Sequence, residues 1–261
     1  MFFSQGCSYS YGAGLYYHKW LADKPKGYKI PHNHYHWVIH QDFISSGDDE
    51  FRRKNRFVDL IADELNTEYY GAQELGGSNK KIIDQSWSSI EKSKGIQKDN
   101  VKDGRVDFVL VQLTHGTRDY NKPSSEEIYN WSDGQTIDDH YDAHLNNTVE
   151  KLNELWNECS KNDIKLYVFS MDIELGEKIV NKDYFIPIYF DGVEYNSIQD
   201  IVMAKNGSIN TSGVSVWKMG KNINVPIYVC DELHRFGVGD THLGLNGHKI
   251  VKDSVIRKIK E

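Results

Sequence analysis

The stretch Val106-Asp107-Phe108-Val109-Leu110-Val111-Gln112-Leu113 limits the fold more than any other in this chain. It is short, rich in β-branched residues and almost continuously apolar, the pattern of a strand covered on both faces. Such a strand needs helices above and below its sheet, and the flanking chain supplies them. Phe51 to Asn66 reads as an amphipathic helix with Phe57, Leu60, Ile61, Ala62 and Leu65 on one face. Thr67 to Ala72 reads as a strand, and a helix then runs through Ile82, Ile83, Trp87 and Ile90. Asp138 to Lys161 reads as a long helix whose apolar stripe is Tyr141, Leu145, Val149, Leu152, Leu155, Trp156 and Cys159. Ile164 to Ser170 is the next strand, Val225 to Cys230 the last, and Ile250 to Ile259 a terminal helix. Strand and helix alternating in this way predict an α/β fold: a three-layer α/β/α sandwich on a mostly parallel central sheet. The 261 residues suit a single domain, 1–261, with insertions at about 23–50 and 171–222.

The ends of the chain carry the chemistry. Met1 to Leu15 is an apolar run that breaks into a glycine-punctuated turn around Ser8, so a strand delivers a serine to the carboxyl edge of the sheet, where open α/β folds place their sites. A serine at such a turn commonly caps a helix. Near the other end stands Gly239-Asp240-Thr241-His242, and a serine with a distant Asp/His pair makes up the parts of a hydrolytic triad. Asp231-Glu232-Leu233-His234 is a second acid/histidine pair.

These residues also carry a resemblance. Gly6-Cys7-Ser8-Tyr9-Ser10-Tyr11-Gly12 resembles the first block of the SGNH (GDSL-like) hydrolase superfamily, Gly-Asp-Ser-x-Ser/Thr-x-Gly, and Asp240-Thr241-His242 resembles its last. Cys7 replaces the usual Asp, as in bacterial and phage-type members. The last block is one residue shorter than the usual Asp-x-x-His, as in alginate-acetylating relatives. Leu75-Gly76-Gly77-Ser78-Asn79 resembles the second block, Gly-x-Ser-Asn; matched so, Gly76 is the oxyanion donor, Gly77 is the alternative, and Asn79 belongs to the same substrate-facing block. The same residues read equally as a helix start capped by Ser78. Thr114-His115-Gly116-Thr117-Arg118-Asp119 stands where the family carries Gly-x-Asn-Asp, without the Asn that supplies the third oxyanion donor. Thr114, His115 and Arg118 are the substitutes on offer. Asp240/His242 ranks above Asp231/His234 because Gly247-His248 and the terminal helix follow it, as they follow the family's last block; His248 itself reads as a helix-start residue.

The resemblance implies a flavodoxin-like SGNH fold and ester hydrolysis through an acyl-enzyme on Ser8. His242 serves as base then acid, and Asp240 fixes the imidazole tautomer. No cofactor and no metal is implied. Transfer of the acyl group to a sugar hydroxyl, or a non-catalytic carbohydrate-binding or virion structural role, are the alternatives. With 16 Tyr and 6 Trp and few aliphatic side chains in the loops, the expected ligand is a small acyl ester, an O-acetyl group on a carbohydrate.

Charge and cysteine usage narrow the classes further. A net charge of −7 and a sequence pI of about 5.9 argue against nucleic-acid binding. The one basic cluster, Arg52-Arg53-Lys54-Asn55-Arg56, reads as the solvated face of a helix. Three cysteines, Cys7, Cys159 and Cys230, form neither a disulfide framework nor a metal-ligand spacing, and fit a reducing compartment. The first motif starts within ten residues of Met1 and no apolar run approaches the ~20 residues of a membrane span, so cytosolic synthesis without a signal peptide is expected, with a virion or dedicated export as later destinations. His32, His34, His36 and His40 crowd the first insertion, with His18 just before it; without a carboxylate or cysteine at matching spacing they read as a polar loop rather than a metal site. In the second insertion, Asp191-Gly192 between aromatic runs signals a two-residue hairpin placed where a lid or substrate platform would be built.

Overall fold

The computed structural model describes residues 1–7, 15, 48–71, 77–98, 106–116, 136–205, 208–210, 215–218, 221–224, 227–229 and 243–261. Four strands form the central sheet: β1 (Phe2–Gln5), β2 (Tyr69–Tyr70), β3 (Phe108–Leu113) and β4 (Lys165–Ser170). All pair in parallel in the order β2-β1-β3-β4. The whole of β3 is buried, as its apolar run predicts. Phe2 stacks on Phe108 with ring centroids 4.6 Å apart, one of several aromatic contacts across the strands.

Seven helices occur among the described residues: α1 (Asp48–Asn55), α2 (Phe57–Leu65), α3 (Asn79–Lys98), α4 (Ile137–Lys161), α5 (Ile173–Ile179), α6 (Ile198–Ala204) and α7 (Leu245–Lys260). Register shows that they cover both faces. Gln5 is level with Val111 and Phe169 with Gln112, and side chains alternate along β3, so Gln5 and Phe169 point to opposite sides. Gln5 reaches Ser89 of α3 at 2.8 Å, whereas Phe169 meets the Phe57 ring of α2 edge-on at 5.5 Å. The fold is therefore α/β on a parallel sheet, compatible with three layers.

Several expectations are corrected. The helix expected over Phe51 to Asn66 is two helices, broken at Arg56, whose backbone is extended (φ −77°, ψ 147°). The α2 N-terminus has no cap from Arg56; instead the first N–H, of Phe57, donates to Nδ1 of His248 at 3.2 Å. His248 lies inside α7 and is fully buried, so Gly247-His248 belongs to the helix and not to a turn before it. The basic cluster is not a wholly solvated face: Arg53 and Lys54 are exposed, but Arg52 and Arg56 are buried. The Arg56 guanidinium bonds to Asp59 and to the Tyr69 hydroxyl, and Tyr69 in turn donates to Asp59 at 3.0 Å; burial of a cation is tolerable where it is paired in this way.

The expected last strand does not join the sheet. β10 (Ile227–Val229) pairs antiparallel with β7 (Ser208–Asn210), and β8 (Ser215–Lys218) pairs likewise with β9 (Lys221–Asn224). The place beside β4 is taken by the chain at Tyr184–Ile186. Val168 N–H donates to the Tyr184 carbonyl and Ile186 N–H to the Val168 carbonyl, each at 2.8 Å, in a parallel bridge. That segment runs into the expected hairpin, β5 (Ile188–Phe190) and β6 (Val193–Tyr195). Asp191 and Gly192 both have positive φ, 49° and 80°, as a two-residue turn of primed type requires. The hairpin docks on α7, where Ser254 Oγ accepts the Tyr189 N–H at 2.9 Å.

No helix of the described residues is long and apolar enough to cross a membrane. His18, His32, His34, His36, His40 and Cys230 lie outside the described residues.

Candidate functional site

β1 is the strand at which the sheet changes direction: the chain passes from β1 outward to β2, then back across to β3. In open α/β sheets, ligands bind beyond the carboxyl ends of the strands at such a switch point. The carboxyl ends of β1 and β3 are bound together here by one buried carboxamide. Gln112 Oε1 accepts the Cys7 N–H at 3.4 Å, the Cys7 sulfur lies 3.4 Å from Gln112 Nε2, and Nε2 also donates to the Leu113 carbonyl at 2.9 Å. Cys7 is thus fully buried against Gln112, one residue before Ser8.

The start of α3 closes on the same place. Ser78 caps the helix, its Oγ accepting the Lys81 N–H at 3.3 Å, so the cap reading of this serine holds. Gly77 is buried beside it. Asn79 is fully buried, and its carboxamide brackets the Thr114 peptide: Thr114 N–H donates to Oδ1 at 2.8 Å and Nδ2 donates to the Thr114 carbonyl at 3.1 Å. A carboxamide held at both ends by the main chain acts on a ligand through Thr114 rather than by touching it. The Thr114 hydroxyl is itself fully buried and has no hydrogen-bond partner among the described residues.

Beyond Thr114, His115 Nδ1 lies 3.5 Å from Asp172 Oδ2. Asp172 follows β4 and is the N-cap of α5, its Oδ1 accepting the Leu175 N–H at 3.2 Å. Asp172 is the residue that sequence reasoning missed. Its cap role was readable from an Asp just before the apolar Ile173 and Leu175, but its approach to His115 is a tertiary fact.

The structure therefore joins Asn79 to Thr114, with Gly77 and His115 close to them along the chain, at the carboxyl end of β3. Ser8, Gly76, Arg118, Asp240 and His242 lie outside the described residues, as do Asp231 and His234. Among the described residues no three His, Cys, Asp or Glu side chains gather as a metal-binding group. No protein-family model, curated protein or solved structure matches the chain.

Proposed function

We propose that the chain is an SGNH-type ester hydrolase acting on a small acyl ester of a carbohydrate. The observation that carries this reading is the switch-point geometry: the residue before Ser8 is tied by Gln112 to the end of β3, whose continuation, Thr114-His115, is held by Asn79 at the start of α3. Cys7, Asn79 and Thr114, each next to or within a segment that the superfamily would use for nucleophile or oxyanion donors, thus lie at one sheet edge, which supports the reading.

In this reading Ser8 Oγ attacks the ester carbonyl and its proton passes to His242, which Asp240 holds in the right tautomer. The negative charge on the carbonyl oxygen is met by the N–H groups of Ser8 and Gly76. Collapse breaks the bond to the alcohol oxygen, which takes the proton from His242. Water then attacks the acyl-enzyme, gives its proton to His242, and releases the acid as Ser8 recovers that proton.

A fluorophosphonate probe with mass spectrometry tests the reading. Labelling is expected on Ser8, to be abolished by Ser8→Ala. His242→Ala should remove nearly all turnover of an aryl acetate, with His234→Ala within roughly tenfold of the parent, about 1.4 kcal/mol in the barrier. A folded protein that hydrolyses no ester and takes no label would instead be a binding protein.

A further inference from the structure

A cavity of about 490 Å³ lies between the end of α4, the start of β4 and the end of α7. Its volume is that of a small-molecule cleft, roughly 300–1,000 Å³. Thr114 follows the last residue of β3, whereas the cavity is lined by the first residues of β4, so it opens at the other end of the parallel sheet from the site above. Trp156 of α4 and Tyr167 of β4 give it its aromatic surface. Tyr167 is only 6% exposed and its ring meets Phe108 edge-on at 5.5 Å, yet its hydroxyl has no hydrogen-bond partner among the described residues. A buried tyrosine hydroxyl usually finds one within the fold. The Trp156 indole N–H is without a partner in the same sense, although its ring packs on Tyr184 with centroids 6.4 Å apart. Packing holds both rings, and the fold makes no use of their polar atoms.

The charged groups of the lining narrow the ligand. Three carboxylates, of Asp163, Asp183 and Glu261, stand with the ammonium groups of Lys165 and Lys258, and Lys258 is paired with Glu261 at 3.4 Å. Charge so nearly balanced selects neither a phosphate, which needs clustered cations, nor an organic cation, which needs acids or aromatic rings without competing lysines. Asp183 and Lys165 make no ion pair among the described residues, and Ser160 Oγ, which donates to the Trp156 carbonyl at 2.9 Å, keeps its lone pairs. The cavity thus offers donors on Tyr167, Trp156 and Lys165 and acceptors on Asp183 and Ser160, beside two aromatic rings. A sugar matches that set, because each of its hydroxyls both donates and accepts and its C–H face is apolar. We propose that this cavity binds a neutral sugar unit of a glycan, lodged against Trp156 and Tyr167 and hydrogen-bonded to the Tyr167 hydroxyl and the Asp183 carboxylate. The site is non-catalytic, lies apart from Ser8, and does not rest on the esterase reading.

Saturation-transfer NMR of the full chain with maltose, cellobiose, xylobiose, lactose and chitobiose tests it. At least one of these neutral disaccharides should bind. Its dissociation constant, from calorimetric titration, should rise about fivefold in Tyr167→Phe, which loses one neutral hydrogen bond, and about tenfold or more in Asp183→Ala, which loses one to a charged group. The first substitution removes a single oxygen and the second trims an exposed side chain, and circular dichroism checks that both fold; should Asp183→Ala fail to do so, Asp183→Asn carries the readout. Ser8→Ala should bind the same sugar as tightly as the parent. Binding of none of the five, or binding that neither cavity substitution weakens, would overturn the proposal. So would binding lost in Ser8→Ala, which would place the sugar at the ester site, or tighter binding of glucose 6-phosphate than of every neutral sugar, which would make the ligand an anion. A parent protein that hydrolyses no ester but binds a disaccharide through Tyr167 and Asp183 would defeat the esterase reading and support this one.

Discussion

Asn79 grips both polar atoms of the Thr114 peptide, with Oδ1 2.8 Å from the amide nitrogen and Nδ2 3.1 Å from the carbonyl oxygen. The grip crosses from the first residue of α3 to the end of β3, so one side chain sets the distance between two segments of the site. Asn79→Asp keeps the shape but sets a carboxylate oxygen against the Thr114 carbonyl. The loss should be about 2–4 kcal/mol of unfolding free energy, because a buried acceptor loses its donor and a charge is desolvated. Urea denaturation of the variant measures it, and a change under 1 kcal/mol would show that the bracket contributes little.

The Thr114 hydroxyl beside this grip is buried without a partner among the described residues, a state that usually costs about 1–3 kcal/mol. Thr114→Val removes the hydroxyl and keeps the branched shape. The expected variant is at least as stable as the parent yet slower by tenfold or more on an aryl acetate, since an unpaired buried hydroxyl at a site is explained by use in the reaction. A lower melting temperature would show instead that the hydroxyl is bonded within the fold.

Two glycines near the site differ in what surrounds them. A methyl group on Gly71, just past β2, would lie 1.7 Å from the Ser4 carbonyl oxygen of β1. On Gly116 it would meet the Leu145 side chain at 2.4 Å and the Tyr141 hydroxyl at 2.8 Å. Backbone in a sheet has nowhere to go, whereas side chains on α4 turn aside. Gly71→Ala should therefore destabilise by more than about 3 kcal/mol and Gly116→Ala by about 1–3. The reverse order in thermal melts would mean that β2 yields more readily than α4.

How far the fold could be read follows from which contacts are local. The strand at Val106 to Leu113 and the stripe of α4 were legible because burial on two faces and a period of 3.6 residues are written in adjacent residues. So was the Asp191-Gly192 turn, because positive φ at both positions selects those residue types. What escaped depends on partners far away in sequence. Arg52 and Arg56 look solvated until Asp59 and Tyr69 fold against Arg56, and His248, legible as a residue of the first turn of α7, gives no sign in sequence that Phe57 donates to it. Val225–Cys230 was read as the last strand, yet its described part, β10, pairs with β7, and Tyr184–Ile186 lies beside β4; both stretches are apolar enough for either place. Ser78 was legible as a cap and Thr114-His115 as the continuation of β3, but Asp172, which approaches His115, follows a different strand.

The acyl preference follows from composition around the expected site. The loops expected around Ser8 are rich in Tyr, Asn, His and Asp and poor in aliphatic side chains. A pocket that buried the chain would gain ~0.8 kcal/mol per methylene, so without one kcat/KM should fall from acetyl to octanoyl esters. A rise along the series would indicate a lipid-type pocket and defeat the carbohydrate-ester reading.

Alkaline pH should unfold the protein through its buried acids. Burial, with Glu158 adding to it, pushes the Cys159 thiol from 9.0 to about 12, and burial first of all pushes the Tyr69 hydroxyl from 10.0 to about 12. Burial raises Tyr184 as well. In each case the folded chain holds its proton where the unfolded chain has released it. Stability from these groups is therefore complete below the thiol's unfolded value of 9.0, and it is lost as pH climbs through the interval up to about 12. The melting temperature should be flat from roughly pH 7 to 9 and then decline, with the native state binding more protons than the unfolded one along the slope. Cys159→Ala separates the thiol from the tyrosines. It lowers stability at neutral pH by leaving a small cavity, but its decline above pH 9 should be shallower than the parent's, and the two curves should converge. Parallel curves over that range would show that Cys159 releases its proton as readily in the fold as outside it.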